Sequence, residues 1–121
     1  MITLTFRAVS GEPVTTIRAA HFRICADGTL RGADNSVAAR YRDGYWQSGT
    51  RCYRTLECEA ALRLRVRRWD GGSEYLGPFE RLRVTGGAIF STDVYLGAHA
   101  RGDPHLQSAQ VWREVALLSQ E

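Results

Sequence analysis

The sequence predicts an all-β fold, built as an antiparallel sandwich or a small barrel. Turn signals such as "SGEP", "GADN", "DGGS" and "RGDP" recur at short intervals along the chain. The runs between them are rich in β-branched and aromatic residues, which favour strands. In one stretch, 56–66, every even position is apolar, as in a strand that buries one face.

The individual strands are placed in the intervals between these turn signals. The predicted strands are 2–9, 20–25, 36–42, 52–68, 79–85, 88–91, 94–100 and 110–117. The segment 103–118 is ambiguous, because Asp103 and Pro104 also fit the first turn of a helix. We favour a strand there, since an internal repeat of the chain lays this segment over β structure.

That repeat relates the two halves of the chain. An ungapped shift of 60 residues aligns eight identical positions: Leu4, Arg7, Gly11, Arg23, Ala38, Asp43, Gln47 and Ser48. We expect a single domain over 1–121 with two repeat units, 1–60 and 61–121, around a pseudo-twofold axis, and with 52–68 crossing between them. Because a chain rich in Arg, Gly and Ala also produces chance identities, a domain without a repeat stays the alternative.

The outward row of the central strand is self-complementary about Ala61. Glu57 and Glu59 precede it, and Arg63 and Arg65 follow it. Two copies paired antiparallel at this point would form ion pairs across a twofold dimer seam, with backbone hydrogen bonds supplying the association. The alternative is an interior strand whose charges meet neighbouring strands of the same chain.

A second cluster of charge is predicted to form an arginine-rich binding face. All sixteen basic residues are arginine, and the net charge is +3. The segments 63–69 and 79–84 are expected to be neighbours, with the exposed arginines on one side. The predicted face consists of Arg63, Arg65, Arg67, Arg81 and Arg83. Acidic residues of the chain, an acidic protein partner or nucleic-acid phosphate would balance it.

Motifs for catalysis or cofactor binding are missing from the sequence. It contains no GxSxG, P-loop, dinucleotide fingerprint, CxxC or HExxH pattern. His99, Asp103 and His105 lie close in sequence, but a metal site needs three or four convergent ligands. Without an export signal, Cys25, Cys52 and Cys58 are expected to be reduced thiols. We therefore expect no catalytic residues, no metal and no cofactor.

The aromatic residues Tyr45, Trp46 and Trp69 are candidates for stacking on a ligand. A core Trp46 beside a hairpin turn is the alternative for "DGYWQS". The sequence predicts a cytoplasmic, non-enzymatic interaction module that forms a homodimer or docks an acidic protein, without membrane contact. Nucleic-acid binding and the binding of a small ligand or glycan are the alternatives, and an enzyme is the third class.

Overall fold

A computed structural model describes residues 1–10, 13–100 and 111–120. The described chain consists of two antiparallel β-sheets that pack together as a sandwich. The strands are β1 (Ile2–Arg7), β2 (Pro13–Ala19), β3 (His21–Ile24), β4 (Thr29–Gly32), β5 (Val37–Arg42), β6 (Tyr45–Ser48), β7 (Arg51–Tyr53), β8 (Thr55–Cys58), β9 (Leu62–Arg67), β10 (Ser73–Phe79), β11 (Leu82–Thr85), β12 (Ala88–Ser91), β13 (Val94–Ala98) and β14 (Glu114–Ser119).

The two sheets differ in size. Sheet A has six strands in the order β13-β12-β11-β8-β1-β2. Sheet B has eight strands in the order β10-β9-β14-β3-β4-β5-β6-β7. Their inner faces meet in one hydrophobic core, to which alternate residues of the central strands contribute. Within the described residues, no helix is long and apolar enough to cross a membrane.

Alternation of side chains along each strand decides which residues enter this core. On β9, Leu62, Leu64 and Val66 are fully buried, whereas the arginines between them lie on the outer side. β1 follows the same rule with its apolar residues at even positions. Trp46 and Trp112 are the largest buried side chains. The predicted all-β antiparallel sandwich is therefore confirmed.

The prediction of one continuous strand over 52–68 is wrong. The segment forms β7 in sheet B, β8 in sheet A and β9 in sheet B again. The chain leaves sheet A at Glu59–Ala61, where the side chains are exposed. The even row stays buried on either side of this crossing, at Cys58 and Leu62, because the inner faces of both sheets border the same core.

Several other boundaries also differ from the prediction. The strands β2, β4, β6 and β10 lie in segments that the prediction left as turns or connections. β2 and β10 are edge strands. Of the ambiguous segment 103–118, residues 103–110 lie outside the described residues. Its remainder contains strand β14, so the helical alternative is wrong there.

The strand orders of the two sheets correspond to each other. Each strand of sheet A lies about 60 residues along the chain from one strand of sheet B. For sheet A in its spatial order, β13, β12, β11, β8, β1 and β2, these strands are β5, β4, β3, β14, β9 and β10 respectively. Read in reverse, this is the order of the first six strands of sheet B. Each strand of sheet A therefore has a positional counterpart in sheet B. An internal duplication stays a prediction, and this correspondence is what such a duplication would produce.

Candidate anion-binding face

The outer face of sheet B carries a broad set of arginines. The register of neighbouring strands places outward arginines on β9, β3, β4 and β5. We define the arginine face as Arg23, Arg31, Arg40, Arg42, Arg63, Arg65 and Arg67. Among the described strand residues on this face, Glu114 is the one acidic side chain. The face therefore carries an excess of positive charge, although Asp27 in a neighbouring turn also lies near Arg31 and Arg40.

One cross-strand row runs through the centre of the arginine face. Arg65 of β9 pairs with Ala116 of β14, which pairs with Arg23 of β3, which pairs with Arg31 of β4. Since adjacent strands lie about 4.8 Å apart, the Arg65 and Arg23 backbones are roughly 10 Å apart. Ala116 is fully buried between them, although it points to the outer side. The row thus has a small residue flanked by two long cationic side chains.

Arg65 and Arg23 share one nearby carboxylate, that of Glu114, and neither is in close contact with it. Glu114 Oε1 lies 3.9 Å from Nη2 of Arg65, and its Oε2 lies 4.0 Å from Nη1 of Arg23. Both distances exceed that of a good hydrogen bond. Nε of Arg65 is buried and has no hydrogen-bond partner among the described residues. Arg23 Nη2 donates a 2.6 Å hydrogen bond to Oδ1 of Asn35. The guanidinium groups of Arg65 and Arg23 therefore have N–H groups that can donate hydrogen bonds to a further acceptor.

The outer face of sheet A balances its own charge. Nε of Arg7 donates a 2.6 Å hydrogen bond to Oε2 of Glu57. Arg81 lies 3.7 Å from Glu59, and the Arg83 guanidinium carbon lies 4.8 Å from the centre of the Phe90 ring. Each of these arginines thus has an acid or an aromatic ring beside it. The larger cluster of arginines among the described strands lies on sheet B, where Asp27 is near Arg31 and Arg40, and Glu114 is near Arg23 and Arg65.

A shallow polar groove of about 240 Å³ also lies on the outer face of sheet A. It is lined by Thr3, Thr5, Arg7, Glu57, Glu59 and Ala60. The hydroxyl and carboxylate groups could accept and donate hydrogen bonds to a polar ligand. No aromatic side chain lines the groove, so a sugar ring would find no stacking surface there.

The predicted arginine face is corrected by the sheet assignment. Arg63, Arg65 and Arg67 lie on β9 in sheet B, but Arg83 lies on β11 in sheet A and Arg81 just before it. The two groups cannot form one surface, because the outer faces of a sandwich point in opposite directions. The structure instead joins the β9 arginines to those of β3, β4 and β5. The alternation in "HFRI" and "VAARYR" was the available signal for these residues.

The backbone pairing that the dimer seam required is also ruled out. β8 is already flanked by β1 and β11, and β9 by β10 and β14. A second copy therefore has no free strand edge along 55–67. The alternative of an interior strand is confirmed, since Glu57 pairs with Arg7, Glu59 with Arg81, and Arg65 with Glu114. A contact between copies through the side chains of Glu57, Glu59, Ala61, Arg63 and Arg65 stays a prediction.

The predicted stacking residues fall into two environments. Trp46 is fully buried, so its assignment as a stacking residue is wrong and the core alternative is confirmed. Tyr45 and Trp69 are exposed and remain candidates. Tyr75, which is 62% exposed, pairs directly with Arg65 across β10 and β9. It therefore places an aromatic ring at the edge of the arginine face.

Among the described residues, the histidine and cysteine side chains do not cluster into a metal site. His99 is buried against the rings of Tyr41 and Trp46, at centroid distances of 4.8 Å and 5.3 Å. Burial lowers the pKa of His99 to about 4. Asp103 and His105 lie outside the described residues. No group of three or more His, Cys, Asp or Glu side chains within the described ranges could hold a metal ion.

Comparison with known proteins adds no further assignment. No family model, no curated protein and no solved structure matches this chain.

Proposed function

We propose that this protein is a non-enzymatic interaction module that docks an acidic protein partner on the arginine face. The observation that carries this proposal is the unbalanced charge of that face. Its arginines come from the strands β9, β3, β4 and β5 of sheet B, whereas Glu114 of β14 is the one acidic side chain among the described strand residues on that face. Because like charges on adjacent strands oppose each other, a bound acid would stabilise the sheet as well as the complex.

The geometry of arginine supports a carboxylate as the recognised group. The guanidinium is planar and presents its N–H donors as a fork that matches a carboxylate. The strands hold the arginine backbones at fixed spacings, so that only the side chains need to be ordered on binding. The sheet is also an extended surface, which suits an acidic segment of a protein better than a compact metabolite.

Single-stranded nucleic acid is the second candidate, favoured by a specific observation. Tyr75 is 62% exposed beside Arg65, and Trp69 is 64% exposed in the turn that follows Arg67 and Arg68. Bases stack on exposed aromatic rings while arginines hold the phosphates. Glycan binding in the groove of sheet A is less supported, since no aromatic ring lines it.

We also propose that the chain can form a homodimer, but through side-chain contacts alone. Of the seam residues, Glu57 lies on β8 in sheet A and Arg63 and Arg65 lie on β9 in sheet B, while Glu59 and Ala61 lie in the crossing between the sheets. A homodimer formed through them would therefore need contacts between side chains rather than a continuous sheet. Light scattering after size-exclusion chromatography measures the mass, and a monomeric mass at high protein concentration would reject the homodimer.

The docking proposal is tested by titrating the protein with a fluorescein-labelled hexaglutamate peptide. We expect saturable binding that weakens as salt rises from 50 to 300 mM, because exposed charges are screened over roughly 10 Å. Arg40→Gln/Arg63→Gln should lower the affinity at least fivefold. Arg18→Gln/Arg81→Gln is the matched control, because it removes two arginines from the sheet A side. Equal losses in both double variants would reject the arginine face.

A further inference from the structure

We infer that the arginine face contains a carboxylate-binding site above Ala116, formed by Arg65 and Arg23. A glutamate or aspartate side chain of the partner would take the position that Glu57 takes within sheet A. This inference rests on the proposed function and specifies where the acidic partner is held. It is carried by the correspondence between the two sheets and by the polar groups around Ala116.

The register makes Ala116 the positional counterpart of Glu57. Glu57 on β8 pairs with Thr5 of β1 on one side and with Arg83 of β11 on the other. Ala116 on β14 pairs with Arg65 of β9 on one side and with Arg23 of β3 on the other. The strands β8, β1 and β11 are the counterparts of β14, β9 and β3 in the strand order. Both residues therefore hold the central position of the same cross-strand row.

The two rows differ in where the negative charge is found. In sheet A the central residue is itself the acid, and Glu57 bonds to Arg7 on the neighbouring strand. In sheet B the central residue is an alanine, while the neighbour that is Thr5 in sheet A is Arg65. The row in sheet B thus has a cation where sheet A has Thr5, and no acid at its centre. An external carboxylate would restore the arrangement that sheet A completes internally.

The groups around Ala116 provide the donors that such a carboxylate needs. Arg65 Nε is buried and without a hydrogen-bond partner among the described residues, although a buried donor normally has one. Position 116 carries only a methyl group, which is fully buried, so an external carboxylate would bind over it against the two guanidinium groups. Glu114 contacts both guanidinium groups only at 3.9 and 4.0 Å, so it does not use their best hydrogen-bonding geometry.

The negative charge of Glu114 also favours one kind of bound anion over another. Glu114 stays within 4.0 Å of both arginines, so a bound anion shares the site with one negative charge. A carboxylate adds a single charge, whereas a phosphate monoester adds about 1.5 to 2 charges at neutral pH. Repulsion by Glu114 is therefore smaller for a carboxylate. A partner glutamate or aspartate fits the site better than a phosphorylated residue.

The inferred site is tested with a substitution that introduces a carboxylate at position 116 of the chain itself. Ala116→Glu places an acid at the position that Glu57 occupies in sheet A, and it should fill the site. We expect Ala116→Glu to bind labelled hexaglutamate at least tenfold more weakly than the wild type. Ala116→Gln is the matched control, since it has nearly the same size without the charge, and it should bind with less than a threefold loss. Thermal unfolding should show Ala116→Glu to be more stable than Ala116→Gln at low salt.

A second variant keeps the test decisive if both substitutions at Ala116 disturb folding. Arg23→Gln removes one side of the site and leaves β14 unchanged, so it should also weaken hexaglutamate binding at least fivefold. The same titrations are run with a thymidine oligonucleotide of equal charge. Ala116→Glu that binds hexaglutamate as tightly as the wild type would overturn the site but leave the docking proposal standing.

Other outcomes act on the proposed function itself. Failure of the wild type to bind hexaglutamate at 50 mM salt would overturn both the docking proposal and the site. Tighter binding of the thymidine oligonucleotide than of hexaglutamate would overturn the carboxylate assignment and favour nucleic acid. An equal loss of hexaglutamate binding in Ala116→Glu and Ala116→Gln would show that bulk, rather than charge, blocks the face, and it would overturn the carboxylate site.

Discussion

Glu57 accepts a 2.6 Å hydrogen bond from Nε of Arg7, and this ion pair joins β8 to β1 on the outer face of sheet A. Both side chains are partly buried, at 29% exposure for Arg7 and 24% for Glu57. The pair is therefore less screened by solvent than a fully exposed one. It is the clearest case in the described structure of an arginine neutralised by a neighbouring strand.

Removing this carboxylate should destabilise the fold. We expect Glu57→Gln to lower the free energy of unfolding by about 1 kcal/mol, because the charge-assisted hydrogen bond of Arg7 is weakened. Urea denaturation at pH 7 measures the change. Glu59→Gln is the control, since Glu59 and Arg81 are each about 65% exposed and 3.7 Å apart. A loss as large in Glu59→Gln as in Glu57→Gln would contradict the explanation.

The stability of the protein should depend on the protonation of His99. Burial lowers the pKa of His99 from 6.5 to about 4, so between these values the unfolded chain binds a proton that the folded chain does not. The contribution of neutral His99 is complete above pH 6.5 and is lost as the pH falls through about 4. Integrated over this window, the loss is about 3 kcal/mol.

Substituting the histidine separates this effect from that of the carboxylates. His99→Phe keeps an aromatic ring against Tyr41 and Trp46, and it should flatten the decline in stability between pH 6.5 and 4.5. Hydrogen bonds from Thr29 and Ser36 lower the pKa values of Asp27 and Asp34 below 3.8, so these groups titrate below that window. Urea midpoints at pH 7 and 4.5 test this, and an equal decline in both proteins would refute it.

Close packing of Trp112 against β13 should make Gly97 intolerant of a side chain. A Cβ atom at Gly97 would lie 2.6 Å from Cζ3 and 2.7 Å from Cζ2 of Trp112. Because Trp112 is buried, its ring has little space into which to move. We expect Gly97→Ala to cost about 2 kcal/mol of unfolding free energy through overpacking.

Gly32 provides the matched control for this substitution. A Cβ atom there would meet Oδ1 of Asp34 at 3.5 Å and Cβ of Ala19 at 3.8 Å, which are ordinary contact distances. Gly32→Ala should therefore change stability much less than Gly97→Ala. Thermal denaturation compares the two variants, and a similar loss in both would mean that the Trp112 contact is not the cause.

The three thiols should differ in reactivity according to their burial. In the described structure Cys52 is exposed, Cys25 is intermediate and Cys58 is buried, and all three are free. Burial also raises the pKa of the Cys58 thiol, which lowers its thiolate fraction. With an aromatic disulfide reagent at pH 8, we expect Cys52 to react first and Cys58 only after unfolding. Fast labelling of Cys58 in the native protein would contradict this order.

Much of the fold could be predicted because burial on one face follows directly from alternation. Leu62, Leu64 and Val66 were assigned to the core by their spacing alone, and they are fully buried. Strands β2 and β10 were harder to find, since edge strands need less apolar character than central strands. The crossing at residues 59–61 is hidden in the sequence because the apolar even positions continue through it in phase, although Ala60 itself is exposed.

The candidate site was only partly visible in the sequence. The sequence predicts Arg63, Arg65 and Arg67 as an outward row, but it also places Arg81 and Arg83 on the same surface, whereas Arg83 lies on sheet A and Arg81 just before its strand β11. Nothing in the sequence around Ala116 indicates that this residue belongs to a binding site. Its significance depends on β14 lying between β9 and β3, a neighbourhood formed by residues that are distant along the chain.

The amino-acid sequence by itself determined that the chain is all-β, which residues of the alternating strands face the core and that its sixteen Lys and Arg positions are all arginine. These properties follow from side-chain alternation and residue chemistry, which act within a few neighbouring positions. Only the tertiary structure decided which arginines share a face and which acids lie near them. That outcome depends on the order of strands within each sheet, and long-range pairing is set by the packing of the whole core rather than by local pattern.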